Sequence, residues 1–373
     1  MINRSLMGIV FPNVQDDLMS EMTAKRSMGS VPFMGRYRLI DFALSNMVNA
    51  GIHKVGVITK SNYQSLMDHL GSGIYWDLDR KSGGLFILPP FSQGQQNVYT
   101  GYVDALAGAI TFLKNSTEKY VLLYDADVVC NFDIHKMLKY HIAKNAQITV
   151  AYKKGIIPKY HRDTTVMSFD EDRRVNCLKF SNAQNIECDY GLDITIMERE
   201  FLIELVEKAT EMNLTSFYRQ IFQPNINNYR LYGYEVEEYA AVMDSTESYV
   251  RITREVLNNR EIRNSLFDKE RPIFTKTRDD MPTVYGLECQ VENSIIADGC
   301  KIEGTVINSV IFRGVNIEKG AIVKDSIIMQ DAIVERDTEL EYVTLDKKVK
   351  VTSCKTIKGA ETYPLYVRKG AEV

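Results

Sequence analysis

No run of like charges, no apolar stretch near roughly 18 residues and no closely spaced cysteine pair occurs in this 373-residue chain. Each absence excludes something. A net charge of −4 without a basic block leaves no electrostatic footprint for nucleic acid. Apolar runs this short exclude a membrane-spanning helix, and the opening MINRSLMGIVFP is too short in its apolar part for a signal peptide, so a cytoplasmic protein is expected. Six scattered cysteines (Cys130, Cys177, Cys188, Cys289, Cys300 and Cys354) show no CxxC or CxH spacing, which points to reduced, buried thiols rather than structural metal. Histidine is also scarce, and none lies beyond His161.

What is present divides the chain in two. Hydrophobic residues make up 45% and charged residues 25%, ordinary for a globular protein, and the length calls for about two domains. From residue 1 to 245, short β-branched runs (LMGIVF, HKVGVIT, YVLLYDADVV, QITVAY, DITIM) alternate with amphipathic stretches such as Ile40–Ala50, Asp104–Lys114 and Phe201–Thr210. That alternation predicts an α/β domain with a Rossmann-like, mainly parallel sheet covered on both faces. Ligands of such sheets sit beyond the carboxyl ends of the strands, here after Phe11, Thr59 and Tyr124. Residues 246–283 mix helix and polar loop and read as a connection.

From Val284 to residue 373 the period changes. Aliphatics at Ile296, Ile302, Val315, Ile322, Ile328 and Val334 recur at spacings near six or its multiples, with small or turn residues between. This is the hexapeptide pattern of a parallel β-helix, although other β-rich arrangements share parts of it. Solenoids of this kind are often acyltransferases that use a histidine base. With no histidine in this part, a scaffold that packs against other subunits is the better reading.

The most specific motif is VPFMGRYRLIDFALSN (31–46), followed by GSGIYWDLDR (71–80). Leu39, Ile40, Phe42 and Leu44 read as core, Asp41 and Asn46 as caps or buttresses, and Trp76 as a packing anchor more than a stacking platform. Just upstream, the first strand ends in Pro12, Asn13, Val14, Gln15, Asp16 and Asp17. Phosphate-binding turns at this position use glycine, whose bare backbone lets N–H groups close on oxygen. Here no glycine is present, and two carboxylates would repel a phosphate.

On these motifs the chain resembles the ADP-glucose pyrophosphorylases (glucose-1-phosphate adenylyltransferases) essentially end to end, from Leu6 to YPLYVRKGAEV. It is most similar to the divergent GlgD-like subunits of Gram-positive bacteria, which partner a catalytic subunit. The resemblance implies a left-handed β-helix. It also implies a reaction in which phosphates are held in line, Mg²⁺ is bound and charge is neutralised.

The family's groups can be followed through this sequence. The phosphate loop falls on Asn13 to Met19 and is lost, and the catalytic-loop lysine falls on Met28. Asp127 matches one metal aspartate. The second falls on Val242, and a two-residue slip could rescue it through Asp244. Asp127 could equally be structural, capping the following helix near His135. The charged pair that contacts the sugar phosphate becomes Ser181 and Asn182 after Phe180, and Tyr190-Gly191-Leu192 also departs from the family pattern. Gly101, Asp104 and Ala105 match the nucleotide side, but Tyr102 and Val103 replace a Thr-Ala pair and should narrow the pocket. Lys25, Arg26 and Arg38 match positions that bind a phosphorylated effector of central carbon metabolism, with Arg36 nearby. The alternative is that they are solvated or pair with Asp16, Asp17 and Glu21.

The expectation is a non-catalytic regulatory subunit, without a cofactor of its own. It would form a mixed oligomer, expected to be a tetramer, with a catalytic homologue that uses ATP and Mg²⁺. An active adenylyltransferase and a stand-alone sugar-phosphate or nucleotide sensor are the alternatives. A glycine-rich 13–19 turn combined with Met28→Lys and Val242→Asp is expected to return some activity.

Overall fold

A computed structural model describes residues 5–12, 19–89, 99, 101–157, 164–181 and 186–373. Asn13 to Asp17 and Asn182 lie outside the described residues.

The first strand, Leu6–Phe11, is buried throughout and pairs in parallel with Lys54–Ile58 on one side and Tyr120–Asp125 on the other. Its side chains alternate between two cores, as a period of two requires. Leu6 and Val10 join one hydrophobic cluster, while Met7, Ile9 and Phe11 join the other. The sheet runs from Val175–Ser181 through Thr164–Phe169, Glu187–Glu198, Tyr120–Asp125, Leu6–Phe11 and Lys54–Ile58 to Gly84–Leu88. Ile148–Ile156 and Leu231–Glu235 extend it beside Glu187–Glu198.

Helices cover both faces. Leu39–Asn49 buries Ile40, Ala43, Leu44 and Met47 at helical spacing in the first core. Arg199–Glu211 buries Leu202, Leu205, Val206 and Ala209 in the second. The single helix expected over 104–114 is instead two, Tyr102–Gly108 and Ile110–Lys114, broken at Ala109. Gly108 lies at the break, where its low helix propensity favours an interruption. Trp76 is a packing residue, 1% exposed and set edge-on against His69 and Tyr75. Asn46 donates to Tyr124 Oη and the Cys130 carbonyl and accepts from Phe132 N, tying its helix to the central strand.

After helices Thr246–Asn258 and Arg260–Leu266, the chain enters a left-handed β-helix of three five-stranded parallel sheets. Inward columns run Ile302–Ile317–Val334–Val351, Val306–Val323–Leu340 and Ile311–Ile328–Leu345, all fully buried. Ile322 departs from the expected inward set. It is partly buried, and its neighbours Ala321 and Val323 fill the interior. One corner turns through Asn293, Asn308, Asp325 and Tyr342, all in the left-handed region that Asn and Asp tolerate best.

A third core joins the two domains. Met19, Met22, Met28, Phe33 and Phe42 pack with Tyr249, Val310, Phe312 and Met329. Among the described residues, no helix is long and apolar enough to cross a membrane.

Candidate functional site

The central strand Tyr120–Asp125 ends at Asp125, and Val128–Cys130 follows after a two-residue turn containing Asp127. Strand Ala240–Val242 pairs antiparallel with Val128–Cys130, and Met243 N donates to the Asp127 carbonyl. This brings Asp244 near Asp127. Burial, with Asp125, Asp193 and Asp244 nearby, pushes the Asp127 carboxyl well above the usual carboxylate range. Both Asp127 carboxylate oxygens are buried without a hydrogen-bond partner among the described residues. The helix-cap alternative for Asp127 does not hold. The cap of Ile134–Ala143 is Asp133, whose Oδ1 accepts from His135 N and Lys136 N.

Beside these acids lie the residues that the family resemblance places on the nucleotide side. Gly101 presses against the chain at Thr215, where an added Cβ would lie 2.5 Å from the carbonyl oxygen. It precedes helix Tyr102–Gly108, which has Asp104 in its first turn. Tyr102 Oη donates to Asp125 Oδ2, and its ring meets Phe11 edge-on at 5.0 Å. Burial, then the charges of Asp125, Asp193 and Asp127, hold the Tyr102 hydroxyl well above its ordinary value, so it stays a donor. Tyr218 Oη lies 3.0 Å from Thr195 Oγ1 on the other side. The space left among Phe11, Tyr102, Asp193, Tyr218 and Phe222 is about 20 Å³, room for about one water.

Met28 is 1% exposed and packs in the core shared by the two domains. A lysine there would carry its charge into that core, so Met28→Lys does not rebuild a cation for the cleft. Phe180, beside the missing charged pair, is covered by Arg219, whose Cζ sits 4.3 Å from the ring centre. Tyr190 and Leu192 are buried in the sheet core.

The profile described as nucleotidyl transferase matches residues 19–179, and that described as GlmU-like, C-terminal hexapeptide, matches residues 282–362. The chain is 33% identical over 370 residues to the glycogen biosynthesis protein GlgD of Bacillus subtilis, covering 99% of this chain and 97% of that one. It is 35% identical over 372 residues to GlgD of Geobacillus stearothermophilus, with 99% and 97% covered. Against the glucose-1-phosphate adenylyltransferase of Thermosipho melanesiensis it is 32% identical over 330 residues, covering 86% of this chain and 78% of the other. The chain belongs to the ADP-glucose pyrophosphorylase family and is GlgD-like.

Mg²⁺ commonly uses one or two carboxylates plus substrate phosphates. On the register read from the sequence, the first ligand position falls on Asp127 and the second on Val242, an apolar residue 4% exposed within a strand, with Asp244 two residues on. Among the described residues no three His, Cys, Asp or Glu side chains gather as a metal-holding group. Asp244 Oδ1 accepts from Ser245 Oγ at the start of helix Thr246–Asn258.

The basic residues lie elsewhere, at the domain seam. Lys25 and Arg36 are exposed. Arg38 Nη1 donates to Ser65 O at 2.6 Å and Ser65 Oγ at 3.0 Å, and burial pushes its guanidinium down to about 10. Its backbone N–H donates to Asp41 Oδ2, and Asp41 Oδ1 meets His69 Nε2 at 2.6 Å. Arg26 is 3% exposed, so it is not a solvated charge. Its Nη2 reaches both oxygens of Asp346, at 2.6 and 2.5 Å, across 320 positions of sequence. Sequence reading passed over Asp346, yet a signal exists. It follows Phe312 and Met329 in one column of successive coils, as an acid among apolar residues.

Proposed function

We propose that this chain is a non-catalytic regulatory subunit of glucose-1-phosphate adenylyltransferase, acting in cytoplasmic glycogen biosynthesis. The catalytic partner converts ATP and glucose 1-phosphate to ADP-glucose and diphosphate and brings the Mg²⁺. This chain needs no cofactor and assembles with that homologue as a mixed tetramer. The observation that carries the reading is the packing of Tyr102, which donates to Asp125 beside a space of about 20 Å³; on the family's register it fills the nucleotide side, with Val242 at the second metal position.

Two further observations support it. At the first coil of the β-helix, Met281, Val284, Tyr285, Leu287 and Val291 are exposed, and Val284–Tyr285, Gln290–Glu292 and Ile295–Ile296 end their sheets. Apolar surface joined to open strand edges marks an interaction face. The cluster of Lys25, Arg26 and Arg38 fits a phosphorylated metabolite effector, since Arg and Lys suit phosphate. A regulatory partner shifts its neighbour's conformational equilibrium only by binding one state more tightly than the other.

The test is to assay ADP-glucose formation by the chain alone, by its catalytic homologue alone and by the two together. Expected are background turnover for the chain alone, co-purification of the pair and a changed rate or effector response in the mixture. Robust turnover by the lone chain overturns the proposal, as does a mixture that neither associates nor changes rate.

A further inference from the structure

The seam between the domains holds more positive charge than a packing contact requires. Arg26, Arg38, Lys347 and Lys369 lie close enough for their charges to act on one another. The carboxylates facing them are Asp346 at Arg26 and Asp41 and Asp68 at Arg38. Lys347 is partly buried, and burial together with Arg38, Arg26 and Lys369 pulls its ammonium well below its usual range, with Asp346 opposing.

Within this group Asp346 is bonded like a bound anion. Its Oδ1 accepts from Arg26 Nη2 at 2.6 Å and from Lys347 N at 2.7 Å. Its Oδ2 accepts from Arg26 Nη2 at 2.5 Å and from Tyr366 Oη at 2.7 Å. A guanidinium, a backbone N–H and a phenol thus converge on one point, and the carboxylate at that point is 2% exposed. Charged and neutral donors converging from several elements are how proteins hold oxyanions.

We propose that Asp346 is a tethered anion that fills a phosphate-type site formed by Arg26, Lys347 and Tyr366, with Arg38 and Lys369 around it. This rests on reading the Lys25, Arg26 and Arg38 cluster as an anion site, and it goes further. The chain supplies the anion itself, from the β-helix to the nucleotidyltransferase domain, and so holds the anion-bound arrangement of the seam without an effector. A phosphate reaches Arg26 only by displacing Asp346. Lys25 and Lys369, both exposed, form the outer rim where a further anionic group would land.

The experiment uses the full chain, with inorganic phosphate as the probe and chloride at matched ionic strength as the control. Thermal unfolding is followed for the wild type, Asp346→Ala, the isosteric Asp346→Asn and the double variant Arg26→Met/Asp346→Met. Expected are a wild-type Tm indifferent to phosphate and two Asp346 single variants with a lower Tm in chloride. In millimolar phosphate each single variant should regain at least about 2 °C, since a ligand that binds only the folded form stabilises it. The double variant, which removes the Arg26–Asp346 pair together and leaves neither partner unpaired, should fold and ignore phosphate. A wild type that gains as much as the variants overturns the tethered anion and leaves the effector site standing. Failure of both single variants to gain from phosphate, beside a folded double variant, overturns the anion site itself.

Discussion

The cleft and the seam carry opposite charge. In the cleft, Asp125, Asp193 and Asp244 act on Asp127, and Met28, where the family resemblance expects a lysine, is apolar and buried. In the seam, Arg26, Arg38, Lys347 and Lys369 face Asp41, Asp68 and Asp346, and Arg26 reaches both oxygens of Asp346. A triphosphate entering the cleft would meet like charge and a tyrosine. A phosphate approaching the seam would meet the opposite charge and a competitor. On the proposed reading, anion recognition is lost in one place and kept in the other.

The largest effect that could break this comparison is at Met28. Met28→Lys places an ammonium in the core shared by the domains and should cost at least about 3 kcal/mol of folding stability, read from urea unfolding. Met28→Leu, which keeps volume and polarity, should stay within about 1.5 kcal/mol of wild type. A Met28→Lys chain as stable as the parent would mean that residue 28 can turn toward the cleft, and the cleft would then no longer lack a route to a cation.

Acid should weaken the two domains unequally. His141 is buried beside Tyr120, with Nδ1 2.8 Å from Thr149 Oγ1, and burial pulls its imidazole from 6.5 down to about 4. The unfolded chain therefore takes up this proton first. The contribution is complete above pH 6.5 and fades as pH falls toward 4, by about 3 kcal/mol in all. Every histidine precedes the β-helix, so the loss belongs to the domain that carries the cleft and not to the coils that carry Asp346. Urea melts at both pH values should show a smaller acid loss for His141→Gln than for wild type; equal losses would refute the assignment.

How much of this was legible in the sequence depended on range. The strand–helix alternation and the near-six repeat are local periods, and they carry the fold because burial must follow them. The repeat misplaced Ile322 because partners recur every 15 or 17 residues, as in Lys301 to Asn316 and Asn316 to Ile333, not every 18. The helix break at Ala109 and the cap at Asp133 are also local, decided by single residues that a coarse pattern averages away. In the cleft, Met28 and Val242 could be read position by position as departures from the family's pattern. The direction of the Met28 side chain could not, because only the docking of the β-helix gives it a core to enter. Arg26 could be picked out as a phosphate-type residue, but its partner lies 320 positions away and is chosen by the stacking of coils.

The smallest expected effect, at Tyr102, is the most direct test of the cleft half of the comparison. Tyr102→Phe keeps the ring against Phe11 and removes only the hydroxyl that donates to Asp125 Oδ2. The deletion leaves a buried carboxylate short of a donor and should cost about 1–3 kcal/mol. The ring still blocks the nucleotide side, so ATP binding by calorimetry should remain absent. Tyr102→Ala removes the ring as well and opens the space next to Phe11, Tyr218 and Phe222. If occlusion alone kept the nucleotide out, this variant would bind ATP. The expected result is that it does not, because the carboxylates of Asp125, Asp127 and Asp193 still face the entering phosphates. ATP binding by Tyr102→Ala would show that steric filling, and not the reversed charge of the cleft, sets it apart from the seam.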